Sequence, residues 1–178
     1  MSSSEKVLVV IDVQNDFVTG ALGSAAAVEV IPNICRKIEL FDGPVIATQD
    51  THNDNYLNTQ EGKNLPIIHC KKDTWGHDIQ GSVGAALNRK NSQIIYKCTF
   101  GSEALGEQIA YTSPGVDEII LIGLVTDICI ITNALLLKTI YPYTIITVDA
   151  SCCAGTTPEN HAAALQVMRS CQINVIND

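Results

Sequence analysis

Cys129 is the residue in this sequence best placed to act as a nucleophile. It follows an apolar segment at residues 118–122, which predicts a buried strand, and it lies in the first turn of a helix predicted at residues 127–139 with Thr126 as N-cap. A helix N-terminus carries partial positive charge and free N–H groups. We therefore expect the pKa of the thiol to fall from about 8.5 toward neutrality, and the N–H groups to hold an oxyanion. Taken alone, the segment favours a small buried core residue.

Two other residues could activate such a cysteine. Asp12 follows an apolar segment near the start of the chain, and Lys97 ends another apolar segment. A nucleophilic thiolate needs a base and an electropositive neighbour, and a carboxylate with an ammonium supplies both without a histidine. Considered separately, Asp12 could simply cap a turn, and Lys97 could be a solvated lysine at a strand end.

Four motifs bring these residues together in one pattern. They occur in the order IDVQNDFVTGALGS, TQDTH, IIYKCTFGS and GLVTDICI. Together they resemble the isochorismatase-like cysteine hydrolases, the superfamily that includes nicotinamidases, over almost the whole chain. The resemblance implies that Asp12 takes the thiol proton, Cys129 attacks a carbonyl carbon, and Lys97 holds the pair in register. It also implies a cis peptide bond between Val125 and Thr126 and an oxyanion hole at Thr126 and Cys129.

Composition restricts the class of protein. The chain has 178 residues, of which 46% are hydrophobic, and we interpret residues 1–178 as a single domain large enough to bury a full core. Its net charge of −8, with no basic run, argues against partners such as nucleic acid or an anionic membrane surface. Neither a secretory leader pattern nor a membrane-spanning apolar run is present, so we expect a cytoplasmic protein.

The seven cysteines favour a reducing compartment over a disulfide scaffold, because their number is odd and their spacing irregular. The absence of a Cys-x-x-Cys motif argues against a thiol redox protein. A disulfide between the adjacent Cys152 and Cys153 is conceivable, but burial is the preferred interpretation. We expect the same packing role for three others, namely Cys35, Cys98 and Cys171.

Apolar strand patterns alternate with helical patterns along the chain. Strands are predicted at residues 6–12, 45–49, 93–97, 118–123, 143–149 and 173–176, and helices at residues 26–40, 104–110, 127–139 and 158–170. This alternation indicates an α/β fold with a mostly parallel sheet covered by helices on both faces. The resemblance implies a three-layer sandwich with six strands. In such sheets the site lies beyond the carboxyl ends of the strands, near a switch in strand order.

Residues 51–91 form the least regular part of the pattern, and we expect a loop-rich flap there instead of a second domain. Asp50 directly precedes this segment, and His52 is its second residue. His69 lies 17 residues after His52. Imidazole and carboxylate groups suit a divalent metal, with zinc favoured and manganese or iron as alternatives. Nicotinamidases have such a site beside the triad, and Glu61 stands where some of them supply a further carboxylate ligand.

Aromatic residues that could hold a substrate are few. Many nicotinamidases have an aromatic residue shortly before the last metal histidine, whereas residues 65–68 of this chain contain none. Phe17 and Phe100 follow the motifs of Asp12 and Lys97, and Trp75 lies in the flap. These three are the candidate pocket residues, although Trp75 could equally be an ordinary partly buried anchor.

The leading hypothesis is a metal-assisted cysteine amidohydrolase acting on a small-molecule amide, with nicotinamide preferred. Within the family, the alternatives are a ureido or carbamoyl amidohydrolase and isochorismatase itself, which would not need the metal set. A non-catalytic ligand-binding member is a further alternative, but it would be expected to lack a triad residue. Relatives commonly form homo-oligomers, and we expect the same here.

Overall fold

The computed structural model describes residues 5–178, in which strands and helices alternate as the sequence predicts. The strands are β1 Lys6–Ile11, β2 Val45–Asp50, β3 Gln93–Lys97, β4 Glu118–Leu124, β5 Ile145–Ala154 and β6 Asn174–Ile176. The helices are α1 Asn15–Val18, α2 Ala25–Leu40, α3 Gln60–Asn64, α4 Gly81–Arg89, α5 Glu103–Thr112, α6 Ile131–Ile140 and α7 Pro158–Ser170. A 3₁₀ turn covers Tyr56–Asn58, and a π-helical turn, hereafter the nucleophile turn, covers Thr126–Ile130.

The six strands form one sheet in the order β3-β2-β1-β4-β5-β6, and every pairing is parallel. The chain builds outward from β1 through β2 to β3, then returns to pair β4 with the other side of β1. This reversal makes the carboxyl ends of β1 and β4 the switch point, where ligands bind in open α/β sheets. The predicted α/β class is confirmed.

Helices cover both faces of the sheet, as predicted. Val7, Val9 and Ile11 point to a core that includes residues of α5, α6 and α7. Leu8 and Val10 point to a second core that includes residues of α2 and α4. Because successive side chains of a strand point to opposite faces, a strand between two helical layers must be apolar throughout, as β1 is after its first residue.

The predicted flap, residues 51–91, is only partly irregular. Its last part forms α4, whose Val83, Ala86 and Leu87 are buried in the core shared with α2. The loop-rich portion therefore ends near Gln80, one residue before α4.

Two cysteines differ from the predicted packing role, because Cys98 and Cys171 are exposed. Cys152 and Cys153 are buried free thiols, as preferred over a disulfide. Within residues 5–178, no helix is long and apolar enough to cross a membrane.

Gly123 allows β4 to approach β1 closely at the switch point. Its φ is +123°, and a Cβ built there would lie 2.2 Å from the carbonyl oxygen of Ile11. We expect Gly123→Ala to lower the free energy of unfolding by about 2–4 kcal/mol through backbone strain and overlap. Urea denaturation would measure this loss.

Gly81→Ala is the matched control, because a Cβ at Gly81 meets nothing within 4 Å. That variant should be at least as stable as the wild type. Equal unfolding free energies for Gly123→Ala and the wild type would contradict the close approach.

Candidate active site

Three chain segments bring Asp12, Lys97 and Cys129 to one buried point. Asp12 follows β1, Lys97 ends β3, and Cys129 lies in the nucleophile turn after β4. The Nζ atom of Lys97 lies 2.7 Å from Oδ2 of Asp12 and 3.7 Å from Sγ of Cys129. All three residues are buried, and Cys129 is only 4% exposed. The residues predicted to form a triad are therefore in contact, and the ammonium lies against both the acid and the thiol.

The two oxygens of the Asp12 carboxyl group have different neighbours. Thr48 donates its hydroxyl to Oδ1 at 2.7 Å. Although the ammonium of Lys97 is close to Oδ2, this oxygen has no aligned hydrogen bond among the described residues. Burial raises the pKa of Asp12 and outweighs the opposing effect of Lys97. Asp12 is therefore suited to take up a proton at Oδ2.

The predicted lowering of the Cys129 pKa is wrong. Burial raises the pKa of this thiol well above its usual value, and the nearby carboxylate of Asp12 raises it further. Lys97 lowers it, but by less. Desolvation and a neighbouring negative charge thus outweigh the ammonium and any helix-terminus effect. The resting cysteine is a neutral thiol beside a carboxyl group that can accept its proton.

The local backbone around Cys129 also differs from prediction. Thr126 is the first residue of the nucleophile turn and does not cap a helix, while Val125 takes the N-cap position. The carbonyl of Val125 accepts hydrogen bonds from the N–H groups of both Ile128 and Ile130. The cis peptide bond joins Leu124 to Val125, one residue earlier than the expected Val125–Thr126 bond.

A second cluster lies beside the first. Asp50, His52 and His69 are buried and each offer one ligand atom within 4.8 Å of the others. Nε2 of His52 is 3.0 Å from Oδ2 of Asp50, and Nε2 of His69 is 3.8 Å from the same oxygen. Oε1 of Glu61 lies 3.5 Å from His52 and 3.7 Å from His69. The four predicted ligands therefore converge on one small volume.

The donor chemistry of this cluster fits a divalent metal ion. Nδ1 of His69 lies 2.8 Å from the carbonyl oxygen of Ile67, so a proton on Nδ1 leaves the Nε2 lone pair facing the cluster. Nε2 of His52 is buried with no aligned hydrogen bond among the described residues. Two such nitrogens with two carboxylates are ligands that zinc, manganese and iron accept.

Gln14 was not singled out from the sequence, but it holds Asp50 in place. Asp50, His52, His69 and Glu61 are hereafter called the metal cluster, because they are the candidate metal ligands. The side-chain oxygen of Gln14 accepts from the backbone N–H of Asp50, and its Nε2 donates to the carbonyls of Asp50 and His77. His77 contacts Gln49 and Thr51 through its ring nitrogens. It therefore lies outside the cluster and anchors the loop instead.

The candidate pocket residues occupy different environments. The ring of Phe17 is buried, with its centroid 5.6 Å from that of His69. Trp75 is 61% exposed and Phe100 is 46% exposed, and neither forms an aromatic contact with the cluster histidines in the described chain. Phe17 alone of the three thus lies against the metal cluster.

Tyr56 is an aromatic neighbour that the sequence analysis missed. Its ring centroid lies 4.5 Å from that of His52 and 5.1 Å from that of His69. Its hydroxyl donates to the carbonyl of Leu65, and burial with nearby Glu61 raises its pKa to about 12. No local pattern indicated this contact, because a spacing of four residues brings side chains together only in a helix, and the chain between His52 and Tyr56 is not helical.

Lys97 is part of the lining of a cavity of about 970 Å³. The lining also includes Thr51, Lys72, Tyr96 and Thr99, but among the described residues Cys129 is not part of it. This cavity therefore flanks the triad and does not open directly onto the sulfur.

Comparisons with known proteins identify the family of the chain. The family model described as Isochorismatase domain matches residues 6–177. The nicotinamidase of Schizosaccharomyces pombe is 25% identical over 212 residues, covering 99% of this chain and 94% of the relative. The nicotinamidase/pyrazinamidase of Mycobacterium tuberculosis is 26% identical over 195 residues, covering 96% and 98%.

Among solved structures, the pyrazinamidase of Pyrococcus horikoshii in complex with zinc shares the fold. Its TM-score is 0.80 at 23% identity, with 98% of this chain and 99% of that chain covered. The family match spans nearly all of the described residues. The chain therefore belongs to the isochorismatase family and is a hydrolase close to the nicotinamidases.

Proposed function

We propose that this hydrolase cleaves a small amide, with nicotinamide the preferred substrate, through a thioester on Cys129. The observation that carries the proposal is the position of Lys97, whose ammonium lies 2.7 Å from the carboxylate of Asp12 and 3.7 Å from the sulfur of Cys129. A buried carboxylate and a buried thiol, both in contact with one ammonium, are the groups that acyl transfer through a cysteine requires.

In the acylation half, Oδ2 of Asp12 takes the thiol proton while Sγ of Cys129 attacks the amide carbonyl carbon. The carbonyl oxygen becomes an oxyanion, which the N–H groups of Thr126 and Cys129 would stabilise. Asp12 then returns its proton to the amide nitrogen as the carbon–nitrogen bond breaks. Ammonia leaves, and the acyl group stays on sulfur as a thioester.

In the deacylation half, Asp12 takes a proton from water while the water oxygen attacks the thioester carbon. The second tetrahedral intermediate collapses by breaking the carbon–sulfur bond, and the proton returns to Sγ of Cys129. The products are one carboxylic acid and one ammonia for each amide and water consumed. Lys97 keeps the acid and the sulfur in register throughout, since its Nζ contacts both.

Asp50, His52 and His69, with Glu61 beside them, would hold the metal ion, for which zinc is the preferred identity and manganese or iron the alternatives. When bound, the ion would supply a coordination site that orients a ring nitrogen of the substrate. Phe17 would then form an apolar wall, because its ring already lies next to His69. Assembly into a homo-oligomer and a cytoplasmic location stay predictions.

Ammonia release from nicotinamide by the purified chain tests the proposed function. We expect turnover by the wild type, none by Cys129→Ala or Asp12→Asn, and at most about one thousandth of the rate by Lys97→Ala. Cys98→Ala is the matched control, because Cys98 is exposed and adjacent to Lys97 in the sequence, and it should keep full activity.

Near-full activity in any of the three triad variants would contradict the mechanism. A wild type that binds metal and has a reactive Cys129, yet releases no ammonia from nicotinamide, would refute the proposed substrate while keeping the hydrolase chemistry.

His52→Ala would remove one of the two buried imidazole ligands of the metal cluster. We expect the variant to lose at least the roughly 10- to 100-fold in metal affinity that the loss of an outer-shell partner alone costs, and to turn over substrate poorly. Cys129 should still react with iodoacetamide, since its contacts with Lys97 do not involve His52. Elemental analysis after equilibrium dialysis would measure metal retention.

His77→Gln is the control for this variant, because His77 lies in the same segment but outside the cluster. It should retain metal. If the wild type keeps the same kinetics after verified metal removal, the cluster has only a structural role, and its proposed part in turnover is contradicted.

A further inference from the structure

His161 contacts the first residue of the nucleophile turn. It lies in the first turn of α7, and its Nδ1 shares a hydrogen bond of 2.8 Å with Oγ1 of Thr126. Thr126 is fully buried and is the first residue of the nucleophile turn. The hydroxyl of Thr126 is therefore held by a residue 35 positions later in the chain.

A second contact fixes the next residue of the turn. Oδ1 of Asp127 accepts from the backbone N–H of Thr156 at 2.8 Å, and Oδ2 accepts from the Thr156 hydroxyl at 2.6 Å. The residues from Gly155 to His161, hereafter the β5–α7 junction, thus bind the two leading residues of the turn through separate side chains.

Gly155 shows how closely this junction packs. A Cβ built at Gly155 would lie 2.8 Å from Cβ of His161 and 2.9 Å from Oδ1 of Asp127. Such distances leave no room for a side chain. The junction therefore packs directly against Asp127, the second residue of the turn.

The imidazole of His161 can serve this purpose without adding charge near the sulfur. Burial lowers its pKa, and the nearby carboxylates of Asp178 and Asp127 oppose this shift without reversing it. The histidine is consequently neutral at neutral pH. Its influence on the turn comes from the hydrogen bond and from packing.

We propose that His161 is a positioning residue, which through Thr126 holds the nucleophile turn in the geometry that the oxyanion and Cys129 require. This inference rests on the proposed cysteine mechanism and extends it to a residue that contacts none of the triad side chains. A group held within a fraction of an ångström loses catalytic rate steeply when its support is removed.

A cavity beside His161 indicates that removal of the imidazole should disturb the position of the nucleophile turn more than the stability of the fold. This cavity has a volume of about 350 Å³, and its lining includes His161, Gly155 and Cys153. In His161→Ala the cavity would extend to Thr126, and water could satisfy the freed hydroxyl. Water does not fix the orientation of the hydroxyl as a ring packed in α7 does.

The test compares His161→Ala, His161→Asn and Thr126→Val in nicotinamide turnover. His161→Ala should lower kcat about tenfold and leave KM within about twofold, because the change affects the reacting groups and not substrate binding. His161→Asn should recover most of the rate, since its amide can occupy the place of Nδ1. In a Thr126→Val background, His161→Ala should not lower kcat any further, because the hydrogen bond between the two residues is already absent.

Alkylation of Cys129 by iodoacetamide provides a readout that needs no amide substrate. We expect it to slow about threefold in His161→Ala and in Thr126→Val, and to recover in His161→Asn. A wild type inactive on nicotinamide that still shows this alkylation pattern would refute the proposed substrate and support the positioning role.

The proposal is overturned if both kcat and the alkylation rate of His161→Ala equal those of the wild type. It is also overturned if His161→Ala lowers the rate by the same factor with and without Thr126→Val, because the effect would then not pass through Thr126.

Discussion

The buried ammonium of Lys97 is the interaction on which the site depends. Its Nζ lies 2.7 Å from Asp12, 3.5 Å from Asp50 and 3.7 Å from Cys129, so one positive charge joins the triad to the metal cluster. The carboxylates raise the pKa of Lys97 against the cost of burial and keep it charged. Without this cation, two buried carboxylates would face each other without compensation, which proteins tolerate poorly. The parallel sheet makes the arrangement possible, because the ends of β1, β2 and β3 meet at one edge.

The same cation divides the two carboxyl groups between different roles. Burial raises the pKa of Asp12, which keeps it able to exchange a proton with the thiol. At Asp50, burial also raises the pKa, but His52 and Lys97 together outweigh it, and the pKa is lowered. Environments that push the pKa values of paired acids apart are a common basis for assigning acid–base roles. Asp12 thus suits proton transfer, whereas Asp50 suits metal ligation.

The sequence predicted the central strands β1 and β4 because a parallel strand covered on both faces is continuously apolar. Local pattern alone favoured ordinary structural roles for Asp12, Lys97 and Cys129. The resemblance of four motifs to a known family is what predicted them as a triad. Local pattern could not predict the raised pKa of Cys129, which results from burial and from a carboxylate supplied by β1. The exposure of Trp75 and the contact between Thr126 and His161 depend equally on tertiary packing. The π form of the nucleophile turn has the same origin, since local propensity favours an ordinary helix there.

The proposed mechanism requires the acyl group to pass through the sulfur of Cys129. Acid-quenching the wild type during turnover of nicotinamide, followed by peptide mass mapping, detects such an intermediate. We expect a nicotinoyl adduct on the peptide that contains Cys129, and none on the peptides that contain Cys98 or Cys171. Steady ammonia release with the adduct on another residue, or with no adduct at Cys129 at any quench time, would contradict it.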